Sequence, residues 1–358
     1  MSRNESVDVL RQKIDQIDAK VVALLNERAS LAQRIGHTKS LNSEAVYVPD
    51  REKEVLERVR DLNRGPLPAH AITAVFREII SGCRSVEAPL EVAFFGAEAA
   101  YTHLAAREKF GSSANLHPTV SIPEVFQEVG QGRAAFGVVP IENSTEGAVT
   151  HTFDSLVDSE LQICAEIYLD IHHNLLSRSG RESEIRRVLS HPQALAQCRG
   201  WLARHFPSIG VEEVASTSHA AMKAAEDGSL AAISSSLAKE VYGLQTVAAN
   251  IEDQSTNITR FVVIGKLRTK PSGDDKTSLV FSVQDKPGVL HQMLQPFARS
   301  RINLTKIESR PIKHKPWEYV FFLDMRGHRE QSAVKKAIAG LEKNCLFLKI
   351  LGSYPSGR

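Results

Sequence analysis

The sequence predicts three domains of different classes in tandem: an all-α unit of three helices, a two-lobed α/β unit and a small α+β plait. Three observations predict this. Up to about Ala88 apolar residues recur at helical spacing. From Leu90 short apolar runs alternate with helices, and after the polar stretch RTKPSGDDK the elements run β-α-β-β-α-β. A chain of 358 residues is too long for one ordinary core. The expected domains are 1–88, 89–268 and 276–358.

In the first unit Leu10, Ile14, Ile17, Val21, Leu24, Arg28, Leu31, Ile35 and Lys39 follow i, i+3, i+4, i+7 steps and predict one long helix. Pro49-Asp50 opens a second helix with Val55, Leu56, Val59 and Leu62. Gly65-Pro66-Leu67-Pro68 ends it, and a third carries Ile72, Phe76, Ile79 and Cys83. A helix this long beside two shorter ones cannot bury its whole stripe within one chain, so a homodimer or higher homo-oligomer is expected.

In the middle unit LEVAFFG, AAFGVVP, LQICAEIYL, IRRVLSH, LAAISS and RFVVIG read as strands between helices, an α/β region expected to have largely parallel sheets. In the third, Thr277–Val283 reads as a strand, Asp285-Lys286-Pro287-Gly288 as a turn and Val289–Arg299 as a helix. INLTKIESRPI and WEYVFFLDMRG make a hairpin, Ser332–Lys343 a helix and LFLKILG a last strand. That order is the ferredoxin-like plait.

Hydrophobic residues make up 42% and charged residues 24%, the balance of a soluble globular chain, and the net charge is only +2. No block of Lys and Arg points to nucleic acid. The N-terminal MSRNESVDVLRQKIDQID lacks the apolar core of a secretory signal, and no run reaches the roughly 20 apolar residues that span a bilayer. Cys83, Cys164, Cys198 and Cys345 are scattered without metal-ligand spacing. A cytoplasmic location, no membrane partner and no metal are expected.

Charges interrupt the apolar faces of the first unit. Arg28 and Lys39 lie within about 20° of each other on the helical wheel, in the middle of the stripe. Glu52 continues the line of Val55, Leu56 and Val59, and Glu87 that of Phe76, Ile79 and Cys83. An unpaired buried charge costs roughly several kcal/mol, so these groups meet one another in salt bridges or meet a ligand. With Arg11 as a third cation nearby, the pattern suits a small dicarboxylate better than a metal or phosphate.

LRQKIDQIDAKVVALLNERASLAQRIGHTK followed by VPDREKEVLERV resembles the all-helical chorismate mutases, whose members form an intertwined dimer. The resemblance implies that Arg11 and Arg28 hold the two carboxylates of chorismate, Lys39 its ether oxygen, and Arg51 with Glu52 the ring hydroxyl. The reaction is a pericyclic rearrangement to prephenate, for which fixing a compact conformer and stabilising charge on the ether oxygen suffice; no cofactor is implied. Two positions depart from the best-known members. Val48 replaces an aspartate and Glu87 a glutamine that donates to the ether oxygen. A carboxyl donates only when protonated, so burial is expected to keep Glu87 neutral.

VVPIENSTEGAV, SHPQALAQC and NITRFVVIG, in this order, resemble prephenate dehydratase. The first reads as a strand ending at Pro140, a polar loop and a helix start. Its Asn143, Ser144, Thr145 and backbone amides are expected to hold the carboxylates of prephenate. The resemblance puts Thr259-Arg260-Phe261 at the catalytic centre, with Thr259 donating a hydrogen bond to the departing hydroxyl. Arg260 binds substrate or braces the loop, and His191 and Gln193 are ligand contacts or helix caps. FFGAEAAYTHLAA departs from the family pattern Gly-Pro-x-Gly followed by a hydroxyl residue: Ala97, Ala99 and Ala100 stand at the altered positions, leaving Thr102 as the hydroxyl substrate contact. Alanine resists a turn that needs positive φ. An impaired dehydratase serving as a phenylalanine sensor is therefore the alternative reading.

PGVLHQML and NLTKIESRP resemble the phenylalanine-binding segments of the regulatory ACT domain. They imply a ligand site of Gly288, Val289, Leu290, Asn303, Leu304, Glu308, Ser309, Arg310 and Pro311. The whole order resembles bifunctional chorismate mutase/prephenate dehydratases, with phenylalanine as allosteric inhibitor acting through unequal affinity for two states.

Overall fold

The computed structural model describes residues 6–41, 47–284, 286–311 and 319–357. Contacts divide it into two compact units, residues 1–90 with 110–115, and residues 91–109 with 116–358. Asp285 of the expected turn and Ile312, Trp317 and Glu318 of the expected hairpin lie outside the described residues.

The first unit holds α1 (Val7–Leu41), α2 (Pro49–Leu62) and α3 (Ala69–Glu87). Asp8 in the first turn of α1 and Lys39 in the last both complement the helix dipole. α2 starts on Pro49, whose fixed φ suits a first helical position and whose missing N–H costs no bond there. α3 packs against both other helices. At 35 residues α1 is about 50 Å long, far beyond the reach of the 14-residue α2 or the 19-residue α3. Leu10, Ile14, Ile17, Val21, Leu24, Leu31 and Ile35 remain exposed.

The α/β region, whose residues 110–115 group with the first unit, builds a first lobe from β1 (Glu91–Phe95), α4 (Tyr101–Phe110), β2 (Asn115–Thr119), α5 (Ile122–Gly130), β3 (Phe136–Asn143), β4 (Gly147–Ala148), α6 (Thr150–Asp158) and β5 (Gln162–Asp170). The second lobe holds β6 (Asn174–Ser177), β7 (Arg187–Ser190), α7 (Pro192–Gln197), α8 (Arg199–His205), β8 (Gly210–Glu213), α9 (Thr217–Glu226), β9 (Leu230–Ser234), α10 (Leu237–Tyr242) and β10 (Gln245–Ala248). β11 (Ile258–Gly265) then returns to the first lobe.

The sheets are mixed rather than largely parallel. The first runs β2-β1-β3-β11-β5, with β1 and β3 parallel but β11 antiparallel to both its neighbours. The second runs β10-β6-β9-β7-β8, with only β9-β7-β8 parallel. The cause is the returning strand. β11 enters from the second lobe between β3 and β5, which both run the other way.

β3 does not end at Pro140 but continues to Asn143. Proline has no N–H for the ladder, and the register with β11 shifts there, Arg260 opposing Glu142 while Phe261 opposes Pro140. After the turn, β4 folds back on β3 before α6 begins.

The plait comprises β12 (Asp275–Ser282), α11 (Val289–Arg299), β13 (Leu304–Pro311), β14 (Tyr319–Arg326), α12 (Ser332–Glu342) and β15 (Phe347–Pro355), in the antiparallel order β13-β14-β12-β15. Its strands alternate. Leu279, Phe281, Leu323 and Met325 pack with Met293, Phe297 and Leu341 of the helices. Val280, Phe322 and Leu351 instead join Val139, Phe153 and Ile264 of the first lobe in one apolar cluster. The α/β region and the plait therefore form one compact unit. The expected linker also ends sooner than the sequence suggests, because Asp275 and Lys276 already belong to β12 and are buried.

Candidate active sites

A cavity of about 420 Å³ opens among the three helices, lined by Arg28, Lys39, Val48, Arg51, Glu52 and Glu87 together with Leu31, Ile35, Val55, Cys83 and Arg84. The charged positions that interrupt the apolar stripes thus share one space. Lys39 Nζ donates to Glu87 Oε1 at 3.0 Å. Glu52 and Arg84, both nearly buried, form an ion pair, and the Arg84 guanidinium lies 4.9 Å from the centroid of the Tyr47 ring. Arg28 makes no ion pair among the described residues.

Three expected residues stand differently. Glu87, expected as a donor, instead accepts from Lys39 in an ion pair. Arg51 points to Glu54 at 2.5 Å and is largely exposed. Arg11 is exposed beside Asp8, 17 residues before Arg28 and hence about 25 Å along α1 from the cavity. Arg84, which no stripe argument singled out, is the residue missed. It sits one position after Cys83, about 100° round the wheel from it and so off the apolar stripe.

In the second unit β11 and β3 bring the two polar motifs together, Thr259 opposing Asn143. Asn143 Nδ2 donates to Thr259 Oγ1 at 2.7 Å and to Asn257 Oδ1 at 2.8 Å. Asn143 Oδ1 accepts from the Thr145 amide at 2.9 Å, Thr145 Oγ1 at 2.5 Å and the Glu146 amide at 3.1 Å. Every hydrogen-bonding group of Asn143 is thereby engaged, and it acts as the hub of the loop. Ser144 Oγ donates to the Thr256 carbonyl and accepts from the Ile258 amide. Since Thr259 Oγ1 already accepts a bond, its own proton is the group left to donate.

The network continues through residues that sequence reasoning missed. Asn257 Nδ2 donates to Gln197 Oε1 at 3.1 Å, which also meets His173 Nε2 at 2.7 Å. With the proton on Nε2, His173 Nδ1 at 2.7 Å and the His172 carbonyl at 2.9 Å share the one proton of Tyr101 Oη. Burial pushes the His173 imidazole below its ordinary value despite the bond to Gln197, which favours the neutral ring this pattern needs. A usable signal existed for Asn257. It lies two residues before Thr259, and alternate residues of an extended segment share a face.

The same alternation sends Arg260 the other way. Its side chain is buried, with Nε donating to Glu166 at 2.9 Å, Nη1 to Asp324 at 2.6 Å and Nη2 to Tyr354 Oη at 2.9 Å. Lys276 Nζ reaches both oxygens of Glu166 at 2.8 Å and Tyr168 Oη at 3.0 Å. Burial opposes the Arg260 charge, but Tyr354, Asp324 and Glu166 outweigh it and hold the guanidinium above its ordinary value. Of the two sequence readings, bracing is the one this geometry fits. His191 likewise caps α7, its Nδ1 accepting from the Gln193 amide at 3.3 Å.

The loop before α4 is built despite its alanines. Ala99 adopts φ 62°, the left-handed conformation that glycine favours. It is fully buried, its amide donating to His103 Nδ1 at 3.0 Å and its carbonyl accepting from Ser235 Oγ at 2.7 Å. Thr102 is buried in the first turn of α4.

In the plait Gly288, at φ 75°, caps the start of α11 ahead of Val289 and Leu290. The residues expected around phenylalanine separate on β13. A register shift at Thr305 lets Leu304, following Asn303, pack with the helices, while Lys306 turns to the first lobe. Lys306 lies 3.1 Å from Glu142, Glu308 3.8 Å from Lys306, and Arg310 over the Phe153 ring at 5.7 Å. Ser309 and Pro311 are exposed on the alternate side. Within this chain Glu308 and Arg310 face the first lobe.

Comparison with known proteins matches residues 10–88 to chorismate mutase type II, 92–269 to prephenate dehydratase and 277–343 to the ACT domain. A bifunctional chorismate mutase/prephenate dehydratase from Aquifex aeolicus (strain VF5) is 47% identical over 98% of each chain, and one from Stutzerimonas stutzeri 43% over 99% of each. Among solved structures, prephenate dehydratase from Arthrobacter aurescens in complex with L-Phe is 34% identical with TM-score 0.68, covering 74% of this chain and 90% of that one. GqqA, described as a novel type of quorum quenching acylase, is 30% identical with TM-score 0.68, covering 74% and 97%. With all three domains in this order and relatives matched end to end, the chain belongs to the family of bifunctional chorismate mutase/prephenate dehydratases.

Proposed function

We propose that the helical unit rearranges chorismate to prephenate, that the two-lobed region converts prephenate to phenylpyruvate, and that phenylalanine inhibits through the plait, which we read as a ferredoxin-like ACT fold. The observation that carries the first activity is the gathering of Arg28, Lys39, Glu52 and Glu87 around one cavity. Arg28 binds a substrate carboxylate, Glu52 accepts from the ring hydroxyl, and Lys39 stabilises negative charge on the ether oxygen as its bond to carbon breaks. No nucleophile or proton transfer is required.

The exposed stripe of α1 supports an intertwined dimer. Fully burying one Leu or Ile stabilises by about 1.5–3 kcal/mol, so seven such residues make a large incentive. Dimerisation also answers for Arg11, which is remote from its own cavity and in this arrangement enters that of the second subunit.

In the dehydratase the electron pair of the ring carboxylate flows into the ring as carbon dioxide leaves and out with the ring hydroxyl, which takes up a proton and departs as water. Asn143 supports this by filling an acceptor position of Thr259 Oγ1 and so turning the threonine proton toward the leaving oxygen. The alternative of a decayed dehydratase is not favoured, because Ala99 holds the turn that its identity resists. Domains 1–88, 89–268 and 276–358 are the proposed functional divisions.

The test is to supply the full chain with chorismate alone. Phenylpyruvate should form and be suppressed by phenylalanine. Prephenate accumulating without phenylpyruvate would remove the dehydratase activity, and phenylpyruvate formation indifferent to phenylalanine would remove the regulation.

A further inference from the structure

Arg84 lies in the last turn of α3, in the mutase cavity, and is only 8% exposed. One arm of its guanidinium, Nη2, is bound to Glu52. The other, Nη1, is buried and has no hydrogen-bond partner among the described residues. A buried donor left unmet costs roughly 1–3 kcal/mol, more when charged. A guanidinium holds its donors in a rigid fork, so with Nη2 fixed on Glu52 the direction of Nη1 is fixed too, whereas an ammonium would rotate its three donors freely. Arg84 lines the cavity, and its unmet arm is a donor to offer a group bound there.

The charge pattern of the cavity agrees. Lys39 is matched by Glu87 and Arg84 by Glu52, while Arg51 turns outward to Glu54. Arg28 and the spare arm of Arg84 are the cationic donors left for an anionic, oxygen-rich ligand.

We propose that Arg84, rather than Arg51, is the cation that works with Glu52 on the substrate's ring hydroxyl: Glu52 accepts the hydroxyl proton and Arg84 Nη1 donates to its oxygen. A hydroxyl is both donor and acceptor, and this pair offers one group of each kind. The proposal rests on the mutase reading above.

The experiment measures mutase kcat and KM on chorismate for the full chain and for Arg84→Gln, Arg84→Lys, Glu52→Gln, Arg51→Gln and the double Arg84→Gln/Glu52→Gln. Helical circular dichroism and the thermal midpoint of each full-length variant report intact folding of the helical unit, in which all of these positions lie. Arg84→Gln should lower kcat/KM about 10- to 100-fold, the range for a hydrogen bond to a charged group, and Arg51→Gln less than about threefold. Arg84→Lys, which keeps a charge beside Glu52 but loses the fixed fork that aims the second donor, should not restore the rate.

The double variant removes both charges together, so it leaves no uncompensated ion to unfold the unit. On the Glu52→Gln background Arg84→Gln should still lower kcat/KM at least about fivefold. No further loss there, or full activity in Arg84→Lys, would make Arg84 a counter-ion only and overturn the proposal. Unchanged kcat/KM in Arg84→Gln with weakened subunit association would overturn it in favour of an intersubunit contact. Wild-type protein that does not consume chorismate would defeat the mutase reading itself, and this proposal with it.

Discussion

Two groups of buried charges, one in each unit, are assembled on opposite principles. Around Arg260 two cations, Arg260 and Lys276, meet Glu166 and Asp324 with Glu142 at 3.7 Å, Tyr168, Tyr354 and Ser278 take up further bonds, and every arm of the guanidinium has a partner. Around the mutase cavity the pairs Lys39–Glu87 and Arg84–Glu52 are balanced, but Arg28 and one arm of Arg84 are not. A cluster closed on itself ties elements together. One that is left incomplete beside a cavity has donors to offer a ligand. On the proposed reading satisfaction, rather than burial or charge count, separates a structural ion cluster from a binding site.

The strongest way to break the contrast is to remove one member from each group. Arg260→Met leaves Glu166 and Asp324 with too little counter-charge, and it should destabilise the dehydratase–plait unit by about 3–5 kcal/mol in denaturant unfolding. Arg28→Met, which strands no carboxylate among the described residues, should instead lower mutase kcat/KM by roughly 10²–10³ while shifting the unfolding midpoint little. If Arg28→Met destabilised as much as Arg260→Met, the distinction would be lost.

Next in size is Thr259, the proposed donor to the leaving oxygen. Thr259→Val, which keeps the shape but has no proton to donate, should cut dehydratase kcat about 10²–10³-fold, and Thr259→Ser should retain most of it. Equal rates in both variants would assign Thr259 a packing role.

A smaller effect concerns pH. Burial lowers His173 and His103 from their ordinary 6.5. Below 6.5 the unfolded chain takes up protons that these folded imidazoles refuse, so stability should be full above that pH and decline as pH falls toward the folded values. His173→Gln should flatten that decline when midpoints are compared between pH 7.5 and 5.5. A slope unchanged by the substitution would locate the pH response elsewhere.

The smallest expected effect is at Ala99, where the left-handed backbone costs an alanine about 1 kcal/mol relative to glycine. Ala99→Gly should raise the unfolding midpoint without lowering dehydratase activity. A loss of stability would mean that the methyl group, packed with Leu176, Ala220 and Leu237, contributes more than the strain removes.

Much of this was legible in the sequence because it follows local periodicity. The helical spacing of Leu10 to Lys39 and the capping prolines specify three helices, and a charge on an apolar stripe is visible on a wheel. That is why Arg28, Lys39, Glu52 and Glu87 were found in advance. Arg84 was not, because arginine near a helix C-terminus is an ordinary surface choice until its partner is known.

The sequence by itself determined the order of the domains, the helices, the strand identities and the motif residues Asn143 and Thr259, since each depends on neighbours a few positions away. Only the tertiary structure decided that β11 enters between β3 and β5, and with it that Thr259 faces Asn143 while Arg260 faces the plait. It also decided the chain from Tyr101 through His173 and Gln197 to Asn257, whose members come from both lobes. The physical reason is sequence separation. Asn143 and Thr259 are 116 residues apart, and a hydrogen bond of that span is set by the pairing of β11 with β3, which no local pattern records.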